Sequence, residues 1–235
     1  MDSQKIDIWV RDIVVGDDVK KKETAINAVW SEAYARSVYP ASIHDLYRAR
    51  GEGKLSGFTV PAMNLRVLTY DLARMIFRAA LKIKAGAFIF EIARSEMGYT
   101  DQKPLEYTTV LLAAALAEGY CGPVFVQGDH FQVNAKSYKE NPRAEVDSLK
   151  KLIKESVDAG FYNIDIDSST VVDLAQSDLA AQQKLNSEIC AELTAYIRGI
   201  QPEGSTVSVG GEIGEVGSKN STPEETRAFM NLYLQ

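Results

Sequence analysis

Five short apolar runs recur along the chain, at 58–63, 87–93, 123–127, 162–167 and 206–213, each rich in β-branched or aromatic residues. Runs of that length and composition read as strands buried on both faces. Between them lie longer segments with helical spacing, at 65–84, 104–119, 143–159 and 178–199. Successive strand starts are 29, 36, 39 and 44 residues apart, room each time for one strand, one helix and two loops. Strict alternation of this kind implies parallel strands joined by right-handed crossovers. No G-x-G-x-x-G follows the first run and no phosphate-binding P-loop occurs, so a nucleotide-binding open sheet loses support. The expected fold is α/β, of the (β/α)8 barrel type.

Helix punctuation supports the same reading. In 65–84, Leu68, Leu72, Met75, Ile76 and Ala79 fall along one face, which is therefore expected to be buried. Segment 143–159 has Pro142 at its first turn and Gly160 just past its end. The last 13 residues, PEETRAFMNLYLQ, read as a helix with Thr222 as N-cap, Pro223 at its first position, and Glu224 and Glu225 in its first turn. That helix follows the fifth strand, and a closed barrel needs three further units, about a hundred residues at this spacing. The expectation is an incomplete barrel over residues 41–235, carrying about the first five β-α units, behind a helical extension over residues 1–40. The extension contains KKKETAINAVWSEAYARSVY, whose Trp30, Tyr34 and Tyr39 read as a packing face that covers the barrel or meets another subunit.

Charge and composition exclude several function classes. A formal net charge of −6 and a pI near 5.1 argue against nucleic acid or a membrane surface as partner, since both call for a basic patch. The N-terminus has no basic-then-apolar leader and no run of about 18 apolar residues occurs, so a cytoplasmic protein is expected. Only two cysteines occur, Cys121 and Cys190, each beside apolar residues. They read as small buried hydrophobes rather than as a disulfide or a thiolate metal site.

In a barrel of this type, reactive groups stand at the C-terminal ends of the strands. Asp129 and His130 come where the third apolar run gives way to a loop. The second histidine, His44, lies ahead of the first run and reads as a surface helix residue. Asp165 and Asp167 alternate in the fourth run and therefore share a face. Two carboxylates are costly to bury unpaired, which points to a cation or a dense hydrogen-bond network nearby, with Asp167 favoured over Asp165. The plainer reading is that Asp167 and Ser168 cap the next turn. The fifth run ends in Glu212, among Gly210, Gly211, Gly214 and Gly217, a backbone that a ligand can approach closely. Imidazole nitrogen with carboxylate oxygen suits zinc, although a catalytic zinc normally takes three protein ligands and only one histidine is well placed.

The ordered set F-T-V-P-A-M-N, G-D-H, I-D-I-D-S-S, G-E-I-G-E-V-G and T-P-E-E resembles the class II fructose- and tagatose-bisphosphate aldolases, from about residue 41 to the end. The resemblance implies zinc, with a monovalent cation beside it, and reversible cleavage of a phosphorylated ketose to dihydroxyacetone phosphate and glyceraldehyde 3-phosphate. It casts His130 as a zinc ligand, Glu212 as the zinc-associated glutamate and Asp167 as the support of the metal site. Asp129 becomes the acid that protonates the aldehyde oxygen in condensation, and Asn64 a substrate-binding residue. It also implies a homo-oligomer, a dimer or tetramer. Two further zinc histidines and the phosphate-binding loops of the family have no counterpart here, so weak or absent turnover and low stability are expected of the chain alone. The family's base in the loop after the fifth strand falls near Asn220, with Glu215, Glu224 and Glu225 as substitutes, and its second acid before the zinc glutamate is replaced by Gly210. The D-H and A-G-F-x-x-I-D-I-D-S-S segments and the G-Y-T after the second run are also similar to the non-catalytic partner subunits of tagatose-bisphosphate aldolase, which is the competing reading.

Overall fold

The computed structural model describes residues 3–214 and 220–235. Six strands form one parallel sheet: β1 (Val38–Ala41), β2 (Ala62–Asn64), β3 (Ile89–Ala93), β4 (Gly122–Gln132), β5 (Asn163–Asp167) and β6 (Ser208–Gly211). The order is β2-β3-β4-β5-β6, with β1 beside the start of β4, where Val38 meets Gly122 and Ala41 meets Phe125. The order runs without the reversal that defines a doubly wound sheet. The sheet is open among the described residues, with β2 and β6 as its edges.

The connecting helices bring the expected segments into place. α1 (Ser3–Val14), α2 (Val19–Ala35) and α3 (His44–Gly51) precede β2; α4 (Thr69–Ile83) follows it; α5 (Arg94–Thr100) and α6 (Pro104–Ala117) follow β3. After β4 come α7 (Ala135–Glu140) and α8 (Pro142–Asp158), after β5 comes α9 (Leu179–Ile200), and after β6 comes α10 (Pro223–Tyr233). No helix among the described residues is long and apolar enough to cross a membrane.

One face of the sheet carries the helices. Phe90 and Ile92 of β3, Val124 and Val126 of β4, and Ile164 and Ile166 of β5 belong to a single buried cluster with Phe77 of α4, Leu111 of α6, Ile153 of α8 and Leu193 of α9. Period-2 alternation then turns every second residue of each strand to the opposite face. That second face holds the polar residues discussed below.

Four expectations need correction. In α4 the buried residues are Thr69, Ala73, Phe77 and Ala80, while Leu68, Met75 and Ala79 are exposed and Leu72 and Ile76 half-buried. The face is set by Phe77, whose ring lies 5.1 Å from Phe90 and 4.8 Å from Tyr120, and it is turned by one position from the apolar stripe read above. Leu68 sits outside the helix in a left-handed conformation. β1 was not anticipated, because VYPA is only four residues and contains a proline, which a sheet tolerates only at its margins. Of the three aromatics read as a packing face, Trp30 joins the core, with its Nε1 donating to Thr109 Oγ1 at 2.9 Å; Tyr34 meets the Trp30 ring at 6.0 Å but is exposed, as is Tyr39. Cys190 is buried as expected, but Cys121 is exposed, and both are free.

The extension is continuous with this core. Ile6, Val10, Ala25 and Val29 of α1 and α2 join the same cluster and cover α6, which is buried on nearly every side. A helix that is apolar all round, as LEYTTVLLAAALA is, requires such a cover. His44 opens α3 and is half-buried.

Candidate metal centre

Register aligns Asn64, Glu91, Gln127, Asn163 and Ser208 as one polar row across β2 to β6. Asn163 satisfies itself locally: its amide donates to Val126 O at 2.9 Å and Ala41 O at 3.2 Å, and its Oδ1 accepts from Ile43 N–H at 2.9 Å. Gln127 Nε2 donates to Glu91 Oε2 at 3.0 Å. One layer nearer the strand C-termini, Asp129 lies beside Ala93 and Asp165 beside Gly210.

The run 123–127 was too short a strand. β4 continues to Gln132, but its pairing with β5 shifts between Gly128 and Phe131, a bulge that interrupts the alternation. His130 sits inside it at φ 41, a left-handed conformation rare for a residue with a side chain. The bulge presents Asp129 and His130 at the same end of the sheet and buries Phe131 completely. His130 Nδ1 lies 3.1 Å from Asp167 Oδ2, its Nε2 lies 3.8 Å from Asp129 Oδ1, and Glu212 Oε1 is 3.9 Å from Nδ1.

Asp167, 2% exposed, is fully engaged. It accepts from Gln132 Nε2 at 2.6 Å, from Ser169 N–H at 3.1 Å and Ser169 Oγ at 2.7 Å, and from His130. The cap reading holds, and both oxygens are used: Oδ1 takes the turn and Oδ2 takes the histidine. Asp165 is placed differently. Its hydrogen-bond partner among the described residues is another carboxyl, that of Glu212.

Burial dominates the electrostatics, and the crowding of acids adds to it. Burial, then the charges of Glu212 and Asp129, push Asp165 up to about 7. Burial and the charge of Asp129 push Glu91 up to about 7 as well. Asp129 and Glu212 are also raised, first by burial. For His130, burial pulls the pKa down, but the Asp167 hydrogen bond and the charges of Asp129, Asp167 and Glu212 outweigh it, and the net shift is upward. Such a set holds protons at neutral pH that a cation would displace.

Asn64 ends β2 and joins the cluster from the side. Its Nδ2 donates to Glu96 Oε2 at 2.7 Å, its side chain helps to offset the raised pKa of Asp129, and Arg66 Nε donates to its Oδ1 at 3.1 Å. All five residues singled out as site residues, Asn64, Asp129, His130, Asp167 and Glu212, thus reach one region. Glu91 and Glu96 were missed. Glu91 had a signal, a lone carboxylate inside the apolar run AFIFEIA. Of the substitute bases, Glu224 pairs with Arg227 and Glu225 closes a capping box with Thr222, both helix-end roles, and Glu215 lies outside the described residues.

The donors fit a divalent cation. Asp129, His130 and Asp165 each bring one ligand atom within 4.8 Å of the others. One imidazole with carboxylates is a borderline-to-hard set, compatible with zinc and with other divalent ions. A cavity of about 320 Å3 opens beside His130, lined by Arg94, Ser95, Gln132 and Asn134 among others. A larger one, about 940 Å3, lies between α1 and the 66–71 and 99–106 segments; no histidine or cysteine lines it, and the clustered donors are not there.

No protein-family model matches the chain, and no curated protein does. Among solved structures it is similar to a probable tagatose 6 phosphate kinase from Sinorhizobium meliloti 1021, with a TM-score of 0.51 and 18% identity over 75% of this chain. The chain spans 43% of that protein's length. At that identity the likeness concerns the fold alone, an α/β architecture with a largely parallel sheet.

Proposed function

We propose that this chain carries the metal centre of a zinc-dependent, class II ketose-bisphosphate aldolase, acting on fructose or tagatose 1,6-bisphosphate. The sheet is read as five consecutive strands of a (β/α)8 barrel. Its sequential parallel order and its free polar face support that reading. The observation that carries the chemistry is the meeting of His130 with Asp129, Asp167 and Glu212 from three successive strand ends.

In this reading His130 and Glu212 would hold the cation, and Asp167 fixes the imidazole through Nδ1. When bound, the cation supplies Lewis-acid polarisation of the ketose carbonyl. Asp129, raised by burial, takes the proton from the hydroxyl on the carbon that leaves as aldehyde and returns it in condensation. Asn64, at the end of β2 and bonded to Glu96, is read as the residue that orients a substrate oxygen.

Phosphoryl transfer from a nucleotide is disfavoured, because no glycine-rich nucleotide loop occurs. A non-catalytic partner subunit is the second reading, favoured by Asn220, which cannot take a proton where the resemblance places the base.

The test is release of dihydroxyacetone phosphate from each bisphosphate, with zinc and with chelator. Turnover that chelator stops and zinc restores, and that Asp129→Asn abolishes, supports the aldolase. Zinc binding without turnover fits the partner subunit and equally the incomplete site expected of the chain alone, and turnover indifferent to chelator rejects the metal mechanism.

A further inference from the structure

Asp165 and Gly210 are register partners on β5 and β6. A Cβ built on Gly210 would lie 2.5 Å from Asp165 Oδ1 and 3.5 Å from its Cγ. The Asp165 carboxylate therefore lies across the bare backbone of residue 210, in space that any side chain there would take. Nothing in the backbone explains the glycine, since Gly210 is not among the glycines with positive φ. Its role is to leave room.

From that cradle Asp165 reaches within 4.8 Å of donor atoms on Asp129 and His130. Asp167, its neighbour on the same face, already accepts from Gln132, Ser169 and His130. Asp165 accepts no N–H hydrogen bond from a side chain among the described residues and faces the Glu212 carboxyl, so its oxygen lone pairs are the ones left for a cation. Two acids face to face and half-shielded from water are an unfavourable arrangement until a proton or a cation lies between them.

We infer that Asp165 is a direct ligand of the metal, and that Gly210 is the positioning residue that aims it. This rests on the metal reading above and changes its ligand set. Asp167 stays the support of His130, and Asp165 joins His130 and Glu212 as the donor from β5.

Titration of the metal-free full chain with Zn2+ in a calorimeter tests this, comparing wild type, Asp165→Asn and Gly210→Ala, with thermal melts of each metal-free protein. Asp165→Asn is expected to weaken zinc by at least about tenfold while melting no lower than wild type, since it removes one acid of a crowded pair. Gly210→Ala is expected to weaken zinc similarly although every donor remains. Wild-type affinity in Asp165→Asn overturns the inference and leaves the metal site standing. So does a metal-free Asp165→Asn that melts lower, which would make the residue structural. A wild type that binds no zinc rejects the metal reading itself.

Discussion

His130 Nδ1 and Asp167 Oδ2 are 3.1 Å apart, and this contact leaves Nε2 turned toward Asp129. An imidazole held through one nitrogen presents the other at a fixed angle and with raised basicity, the usual outer support of a metal-bound histidine. Asp167 is itself held by Gln132 and Ser169, so the ring is anchored to the end of β5.

Removing that support should weaken the metal without removing a ligand. Asp167→Asn is expected to lower zinc affinity about 10- to 100-fold, and His130→Ala by more. Calorimetric titration of the two variants separates the roles. Equal affinity in wild type and His130→Ala would remove His130 from the ligand set.

The metal-free protein should lose stability between about pH 5 and pH 8. Glu91 and Asp165 titrate near 7 when folded, above their ordinary carboxylate values, so the folded state binds more protons than the unfolded state in that window. Stability is then fullest at and below the ordinary carboxylate pKa and falls as pH rises through about 7. His130, raised in the folded state, acts in the same direction, its contribution lost at the upper end. The expected result is a melting temperature several degrees lower at pH 8 than at pH 5.5, a smaller fall in Glu91→Gln, and a smaller fall again with zinc. A metal-free melting temperature that rises over this range would contradict the crowding of acids.

The β-α order was legible because each strand is a compact apolar run, and each long helix has its own stop and start, such as Pro142 before α8 and the Thr222–Glu225 box at α10. Asp129, His130, Asp167 and Glu212 were legible because polar residues at the ends of apolar runs are conspicuous. Asp165 was undervalued for a reason local sequence does not carry: its importance lies in the register that sets it against Gly210, 45 residues on (210 − 165). The bulge at 128–131 was likewise hidden, since G-D-H-F reads as a loop when it is a strand with one residue out of step. Leu68, Met75 and Ala79 misled because apolar periodicity gives a stripe, whereas the strand partner Phe90 decides which side of Phe77 is buried.

Two hydroxyls in the helix layer have no partner among the described residues: Thr108 Oγ1 in α6 and Ser156 Oγ in α8, both on fully buried residues. An unsatisfied buried hydroxyl costs free energy that an apolar group of the same shape does not. Thr108→Val is expected to stabilise the protein by about 1 kcal/mol and Ser156→Ala to be neutral or mildly stabilising. Urea melts at fixed pH measure both. A loss above about 1 kcal/mol in Thr108→Val would mean that the hydroxyl is bonded after all.

Gly128 couples packing to the candidate metal centre. A Cβ on it would come within 2.4 Å of the Phe131 ring, which is fully buried and has no free space to retreat into. Gly128→Ala must therefore move the ring or the strand, at a cost of about 1–3 kcal/mol. Either movement disturbs the bulge, and with it the φ 41 backbone that aims His130. Zinc affinity should fall along with stability, although the residue touches no metal. Gly199 in α9 is the matched control, because a Cβ there meets nothing within 4 Å. Gly199→Ala should leave zinc affinity unchanged and stability unchanged or slightly higher. If Gly128→Ala melts lower but binds zinc as wild type does, the bulge is a packing feature alone and Asp129 and His130 are held by something other than Phe131.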